Sequence, residues 1–226
     1  MKVAVFRAAP NGRGATNLFA DAFVRGAASA AETDDFDICA MDVSPCRGCK
    51  ACASEKSGGC VLRDDMRGLL SAAERADAVA FFTPLYFGTM SAQLKAFFDR
   101  CFPAFCAAEK GAFCGKRALF WTAGGGRAAA FAAVKENFRL IAADLKMDLC
   151  ANVARGESVY FSELGEGSVR VKKILAAAEL LGAEFARGNV SETTVAAVES
   201  PIAPTDEAFE KRSKIYWSLL RGGKKF

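Results

Sequence analysis

Strand-like and helix-like hydrophobic patterns alternate along the chain from its first residues. "KVAVF" (2–6) is an unbroken apolar run, the pattern of a strand buried on both faces. After a polar loop containing glycine, Leu18, Phe19, Ala22, Phe23 and Gly26 fall on one side of a helix. "FDICAM" (36–41) opens with alternation and predicts an edge strand. Met66, Leu69, Leu70 and Ala73 mark the next helix, with Asp64 or Asp65 as its cap. "AVAFF" (78–82) is a second buried strand, and the helix after it carries Met90, Leu94, Phe97, Phe98 and Cys101 in one core-facing stripe. "RALFWTA" (117–123) predicts a fourth strand, followed by a helix marked by Phe131, Val134, Phe138, Ile141 and Leu145. A weaker strand near Met147 to Val153 and a helix through Ile174, Ala178, Leu181 and Phe185 complete five β/α units. Residues 154–168 between them read as an irregular loop with a strand-like "SVYF".

This alternation predicts an α/β fold with a doubly wound, five-stranded parallel sheet in the order 2-1-3-4-5. Residues 1–188 form the predicted domain. Residues 189–226 form a helical appendage, with prolines in "ESPIAPTDEAF", a helix from about Asp206 to Leu220, and a basic "RGGKKF" end.

Composition narrows the function by exclusion. The 226 residues are 52% hydrophobic, which argues for a folded core. A net charge of +4, spread over 30 basic and 26 acidic residues, gives no footprint for nucleic acid. No apolar run reaches membrane-spanning length and no signal-peptide pattern opens the chain, so a cytoplasmic protein without a membrane partner is expected, its nine cysteines reduced. The chain has no histidine. Histidine triads, HExxH zinc sites and imidazole bases are excluded, which leaves thiols, carboxylates, backbone amides or a bound cofactor to carry the chemistry.

In a sheet of this order, ligands bind beyond the carboxyl ends of the strands, between strands 1 and 3. The loop after strand 1, "RAAPNGRGATN" (7–17), can fold its backbone around an anion at Gly12 and Gly14. Thr16 and Asn17 offer side-chain hydrogen bonds, and a helix N-terminus follows. An ordinary glycine-rich turn would read the same way. The loop after strand 3, "TPLYFGTM" (83–90), presents Tyr86 and Phe87 between Pro84 and Gly88. The loop after strand 4, "TAGGG" (122–126), offers bare backbone. A phosphate pocket, an aromatic wall and a glycine floor together suit a mononucleotide with a large planar ring.

"CRGCKACASEKSGGC" (46–60) places Cys46, Cys49, Cys52 and Cys60 within one loop. CxxCxxC is the spacing of an iron–sulfur ligand loop, although the closing gap is long and no proline follows. A structural zinc would more often show two separated CxxC pairs. Cluster ligands, redox thiols, loop cysteines that hold no metal and, less readily, zinc all remain open. Cys39 and Cys150, in predicted strands, read as core residues.

These motifs resemble the flavodoxin-fold NAD(P)H-dependent FMN reductases, and within them the iron–sulfur flavoprotein branch. The similarity runs over roughly residues 1–185. "TPLYFGTMSAQLKAFFDR" matches a family segment much like "TPVYWGSMSAQLKAFIDR" almost throughout, and "CRGCKACASEKSGGCVLRDDM" resembles "C.GC..C…G.C…DDM". Pro10 and Gly14-Ala15-Thr16-Asn17 match the family's "GSPR…GATN". The departures are Ala8 and Ala9 for glycine and serine, and Asn11 for a common arginine.

The resemblance implies a flavodoxin-like fold and bound FMN with NAD(P)H as co-substrate. Hydride would pass from nicotinamide to FMN and on to a quinone, flavin, nitro or similar acceptor, with no side chain obliged to act as acid or base. With these matches and the loops after strands 1 and 4, the expected FMN site comprises Pro10, Asn11, Gly14, Ala15, Thr16, Asn17, Pro84, Leu85, Tyr86, Phe87, Gly88, Ala123, Gly124 and Gly125. The alternative is an iron–sulfur flavoprotein exchanging electrons with ferredoxin, its [4Fe–4S] cluster on Cys46, Cys49, Cys52 and Cys60. The resemblance also implies a homodimer or higher homo-oligomer. The tail residues Phe209, Ile215, Tyr216, Trp217 and Leu219 are then expected to pack across its interface, the other course being to fold back on their own domain.

Overall fold

The computed structural model describes residues 1–53, 59–164 and 167–223. Strands β1 (Lys2–Arg7), β2 (Glu32–Asp37), β3 (Ala78–Pro84), β4 (Arg117–Ala123) and β5 (Asp148–Arg155) pair in parallel in the order β2-β1-β3-β4-β5. The predicted order is therefore the observed one. Apolar runs on β1, β3 and β4 bury both faces, because helices cover the sheet on each side.

Alternation along each strand divides the aromatics between two cores. Phe6, Phe81 and Phe120 face helices α2 (Met66–Arg75), α3 (Ala92–Asp99) and α5 (Ala132–Asp144). Their rings stack in a ladder, Phe6 on Phe81 at 5.2 Å, Phe81 on Phe120 at 5.0 Å and Phe120 on Phe138 at 4.3 Å. One residue further along their strands, Phe82 and Trp121 face α1 (Ala15–Ala28) and α7 (Val169–Arg187). These two helices pack closely at paired glycines. A Cβ on Gly26 would meet the Glu179 carbonyl oxygen at 1.7 Å, and one on Gly182 would meet that of Phe23 at 2.0 Å.

Several local expectations are corrected. The edge strand in "FDICAM" ends at Asp37; residues 38–40 turn away as a 3-10 turn in which the Asp37 carboxylate accepts from Cys39 N at 2.9 Å. "SVYF" is not strand-like but opens helix α6 (Val159–Leu164). Its β-forming composition is overridden by burial of Phe161 edge-on against Phe19, with ring centroids 4.6 Å apart. Cys39 and Cys150 are half-buried and are not core residues; Cys101 is the fully buried thiol. At the start of α2, Asp65 is the N-cap residue, but it is the Asp64 carboxylate that accepts from Met66 N. Helices α4 (Phe102–Cys106) and α8 (Glu192–Glu199) went unpredicted, and α9 (Asp206–Arg221) forms the tail. None of the described helices is long and apolar enough to cross a membrane.

Candidate functional site

At the carboxyl ends of β1, β3 and β4 lies a cleft of about 320 Å3, within the range of small-molecule sites. Backbone bonds between neighbouring loops set its shape. Ala8 N donates to Phe82 O at 2.8 Å, and Ser91 Oγ, the N-cap of α3, donates to Ala8 O at 2.7 Å, tying the loops after β1 and β3 together. Leu85 N donates to Ala123 O at 2.7 Å and Gly124 N to Arg155 O at 3.0 Å, which extends the tie across β4 to β5.

Of the expected site residues, Pro10, Asn11, Gly14, Ala15, Thr16, Pro84, Leu85, Tyr86, Ala123, Gly124 and Gly125 line this cleft. Asn17, Phe87 and Gly88 do not. Asn17 works from beneath, its amide donating to Ala9 O at 3.3 Å and Asn11 O at 3.1 Å to hold the loop's curve. Phe87 and Gly88 form a two-residue turn closed by Tyr86 N to Thr89 O at 2.9 Å and the reverse bond at 3.0 Å. Both have positive φ, so Phe87 is held in a conformation unusual for an aromatic residue and projects fully into solvent.

The phosphate-type end has the required donors. α1 begins at Ala15 with Gly14 as N-cap and no side chain capping it. Among the described residues no acceptor meets the amides of Ala15 and Thr16, and no carboxylate lines the cleft. At the floor, a Cβ on Gly124 would meet Leu85 Cβ at 2.7 Å, so only glycine lets these loops close together. The residues present thus fit a planar ligand ending in a phosphate.

Sequence reasoning missed Ala9, Ser158, Val159, Tyr216 and Trp217, which also line the cleft. Ser158 and Val159 arrive because Ser158 N donates to Gly124 O at 2.9 Å. Tyr216 and Trp217 come from α9, which lies on its own domain. No local signal marks them, since their approach depends on the path of the whole tail. The end of "RGGKKF", residues 224–226, lies outside the described residues.

The cysteine loop follows β2 and is closed at its neck. Asp65 N donates to Asp42 O at 2.9 Å, Asp42 N to Asp65 Oδ2 at 2.8 Å and Ser44 N to Asp64 Oδ2 at 3.1 Å. Arg100, at the end of α3, grips Asp64 through two nitrogens at 2.6 and 2.9 Å and donates to Ser44 O at 2.7 Å. Both side chains are almost fully buried. The Arg100 guanidinium holds the Asp64 carboxyl below the usual carboxylate range.

Cys46 and Cys49 are exposed, Cys52 and Cys60 half-buried, and none of the four lines the cleft. Burial pushes the Cys52 thiol up, helped by neighbouring Cys60, Cys106 and Cys46. Cys106, on α4, is a thiol near this group that the motif did not include. Among the described residues no three cysteines or carboxylates are gathered closely enough to hold a metal ion. The four thiols suit iron chemically, and in this structure they are not gathered into one site. The "SEKSG" segment between Cys52 and Cys60 lies outside the described residues.

Residues 1–155 match the family model described as NADPH-dependent FMN reductase. An iron–sulfur flavoprotein of Methanocaldococcus jannaschii is 35% identical over 104 residues, 46% of this chain and 53% of that one. One from Archaeoglobus fulgidus is 38% identical over 96 residues, 42% of this chain and 48% of that one. The chain spans about half the length of the curated relatives it matches. Among solved structures, an FMN-dependent NADH-azoreductase from Bacillus anthracis in complex with FMN superposes with a TM-score of 0.61 at 15% identity, over 82% of this chain and 100% of that one. An NAD(P)H:quinone oxidoreductase from Methanothermobacter marburgensis gives 0.56 at 18% identity, over 82% and 96%. At these identities the structural likeness is one of fold.

Proposed function

The chain belongs to the NADPH-dependent FMN reductase family, and from that membership we propose that it is an NAD(P)H-dependent FMN oxidoreductase acting on a small-molecule electron acceptor. The observation that carries this reading is the convergence of the loops after β1, β3 and β4 in one cleft with unclaimed amides at the α1 N-terminus. When bound, FMN would supply the ring that takes hydride from nicotinamide and reduces a quinone, flavin, nitro or similar acceptor.

The chain's own residues hold and orient. Ala15 and Thr16 amides, aided by the α1 dipole, would take the terminal phosphate, and the Thr16 side chain would add a hydroxyl. Leu85 and Tyr86 would bound the ring, and the Gly125 amide, which meets no acceptor among the described residues, would donate to its edge. We assign no acid or base, because hydride transfer to a bound ring asks the protein mainly for position. The division at 188/189, a homodimer and a reducing cytoplasm, in which nine free thiols persist, belong to the same reading. Reconstitution with FMN followed by anaerobic NADPH and NADH oxidation assays tests it. Stoichiometric FMN uptake with bleaching on coenzyme addition is the expected result; a purified chain that takes up no FMN would sink it.

A second reading is an iron–sulfur flavoprotein exchanging electrons with a ferredoxin-like partner. The names of the matched relatives favour it. Because the thiols are not gathered, no electron path is routed through them. Anaerobic protein holding about four irons per chain, with Cys49→Ala losing them and keeping FMN, would support this reading. Iron-free anaerobic protein with full coenzyme oxidation would exclude it.

A further inference from the structure

Tyr216 and Trp217 line the same cleft as the phosphate loop, although they lie some sixty residues beyond the family-matched segment. Buried charge on the β5 loop specifies the path that brings them there. Arg155, 1% exposed, donates to Val198 O at 2.8 Å and Ser200 O at 2.6 Å. Glu157, 2% exposed, accepts from Ile202 N at 2.6 Å and Ala203 N at 2.9 Å. Arg127 bridges Glu157, at 2.9 Å, to the Asp206 carboxylate in the first turn of α9, and lies over the Phe209 ring at 5.0 Å. Tyr160 stacks on Phe209 and donates its hydroxyl to Ala208 O at 3.2 Å.

Breaking the bonds of the buried Arg155 and Glu157 to residues 198–203 would strand a charge, so the approach to α9 has one course over the domain, and the more exposed Arg127–Asp206 pair aligns its first turn. The helix then carries Tyr216 and Trp217 to the cleft, their rings packed edge to face at 5.4 Å. Trp217 stays half exposed, with its indole at the edge of the cleft that Leu85, Tyr86 and Tyr216 also line.

We propose that α9 is a cis-acting part of the flavin site, in which Tyr216 and Trp217 form an aromatic cover that packs on the planar ring of bound FMN and admits only flat, small acceptors beside it. This deepens the FMN reading above and rests on it. An offset-stacked indole is worth enough to matter for affinity and sits where it would screen bulk.

The test uses the full chain. Trp217→Ala and Tyr216→Ala are titrated with FMN by flavin fluorescence, with Ile215→Ala, on the same helix but outside the cleft, as the reference. Trp217→Ala is expected to weaken FMN binding about tenfold, shift the flavin absorption band and raise kcat/KM for a bulky acceptor relative to a small one. Wild-type affinity and spectrum in both aromatic variants, with binding lost in Thr16→Leu, would overturn the cover and leave the FMN site standing. A wild-type chain that binds no FMN removes both readings. Coexpressing Trp217→Ala with Thr16→Leu separates cis from trans: tight FMN sites restored in the mixture would show the tail serving a partner's site and overturn the proposal.

Discussion

The cleft and the cysteine loop follow neighbouring strands and are built on opposite plans. In the cleft, the loop walls grow from the ends of strands and are bonded to one another, Ala8 to Phe82, Leu85 to Ala123, Gly124 to Arg155, with Tyr216 and Trp217 of α9 added from outside the sheet. The register of the sheet therefore sets the shape before any ligand arrives. The cysteine loop is fastened at its neck by Asp42, Ser44, Asp64, Asp65 and Arg100, while its thiols range from exposed to half-buried. A ligand set carried within a single loop takes its final geometry from what it binds, whereas a site assembled from strand ends is preformed.

Removing the neck's buried charge should produce the largest effect. Arg100→Met leaves the Asp64 carboxylate buried and unpaired and should cost about 3–5 kcal/mol in chemical denaturation. FMN affinity in the folded fraction should stay within about twofold of wild type. A matching fall in flavin affinity would break the separation of the two regions.

On the cleft side, Thr16→Leu should lower FMN affinity about a hundredfold by blocking the phosphate end and removing a hydroxyl donor, read by fluorescence titration. Because Thr16 is only 4% exposed, the denaturation midpoint of the ligand-free variant is measured beside it to show that the fold is kept. Unchanged affinity would remove the loop after β1 from the site.

Acid sharpens the contrast further. Asp64 has a folded pKa held below its unfolded value, so its stabilisation is complete above the usual carboxylate range and is lost as pH falls through the lowered folded value. Denaturation midpoints taken from about pH 6 to about pH 3 should show this loss. Arg100→Met should flatten the part that Asp64 contributes, and an identical profile in that variant would show the pair to be inert.

The smallest effect belongs to the exposed thiols. Cys49→Ala should change stability by less than about 0.5 kcal/mol and leave FMN binding intact. A destabilisation of several kcal/mol would show that the loop is held by more than its neck.

Most of the cleft was legible in the chain because strand-end loops inherit their position from the strands. Once "KVAVF", "AVAFF" and "RALFWTA" are read as buried strands, the order of the sheet places Thr16, Tyr86 and Gly124 at one edge. Phe87 and Gly88 lie outside the cleft lining, where positive φ at both residues turns them outward, and backbone handedness leaves little trace in hydrophobic pattern. "SVYF" misled for a related reason: local β preference yielded to the burial of Phe161 against Phe19.

By itself, the sequence determined the alternation of strands and helices, the sheet order and the loops that meet at its carboxyl edge, since these follow from hydrophobic period and chain connectivity. Tertiary structure alone decided the course of the tail, which rests on Arg127, Arg155 and Glu157 meeting groups some forty-five to eighty residues away. It also decided that Arg100 closes the cysteine loop thirty-six residues from Asp64. Contacts of that kind join charged residues that are unremarkable in their own neighbourhoods, and only the folded chain removes the water that would otherwise keep them apart.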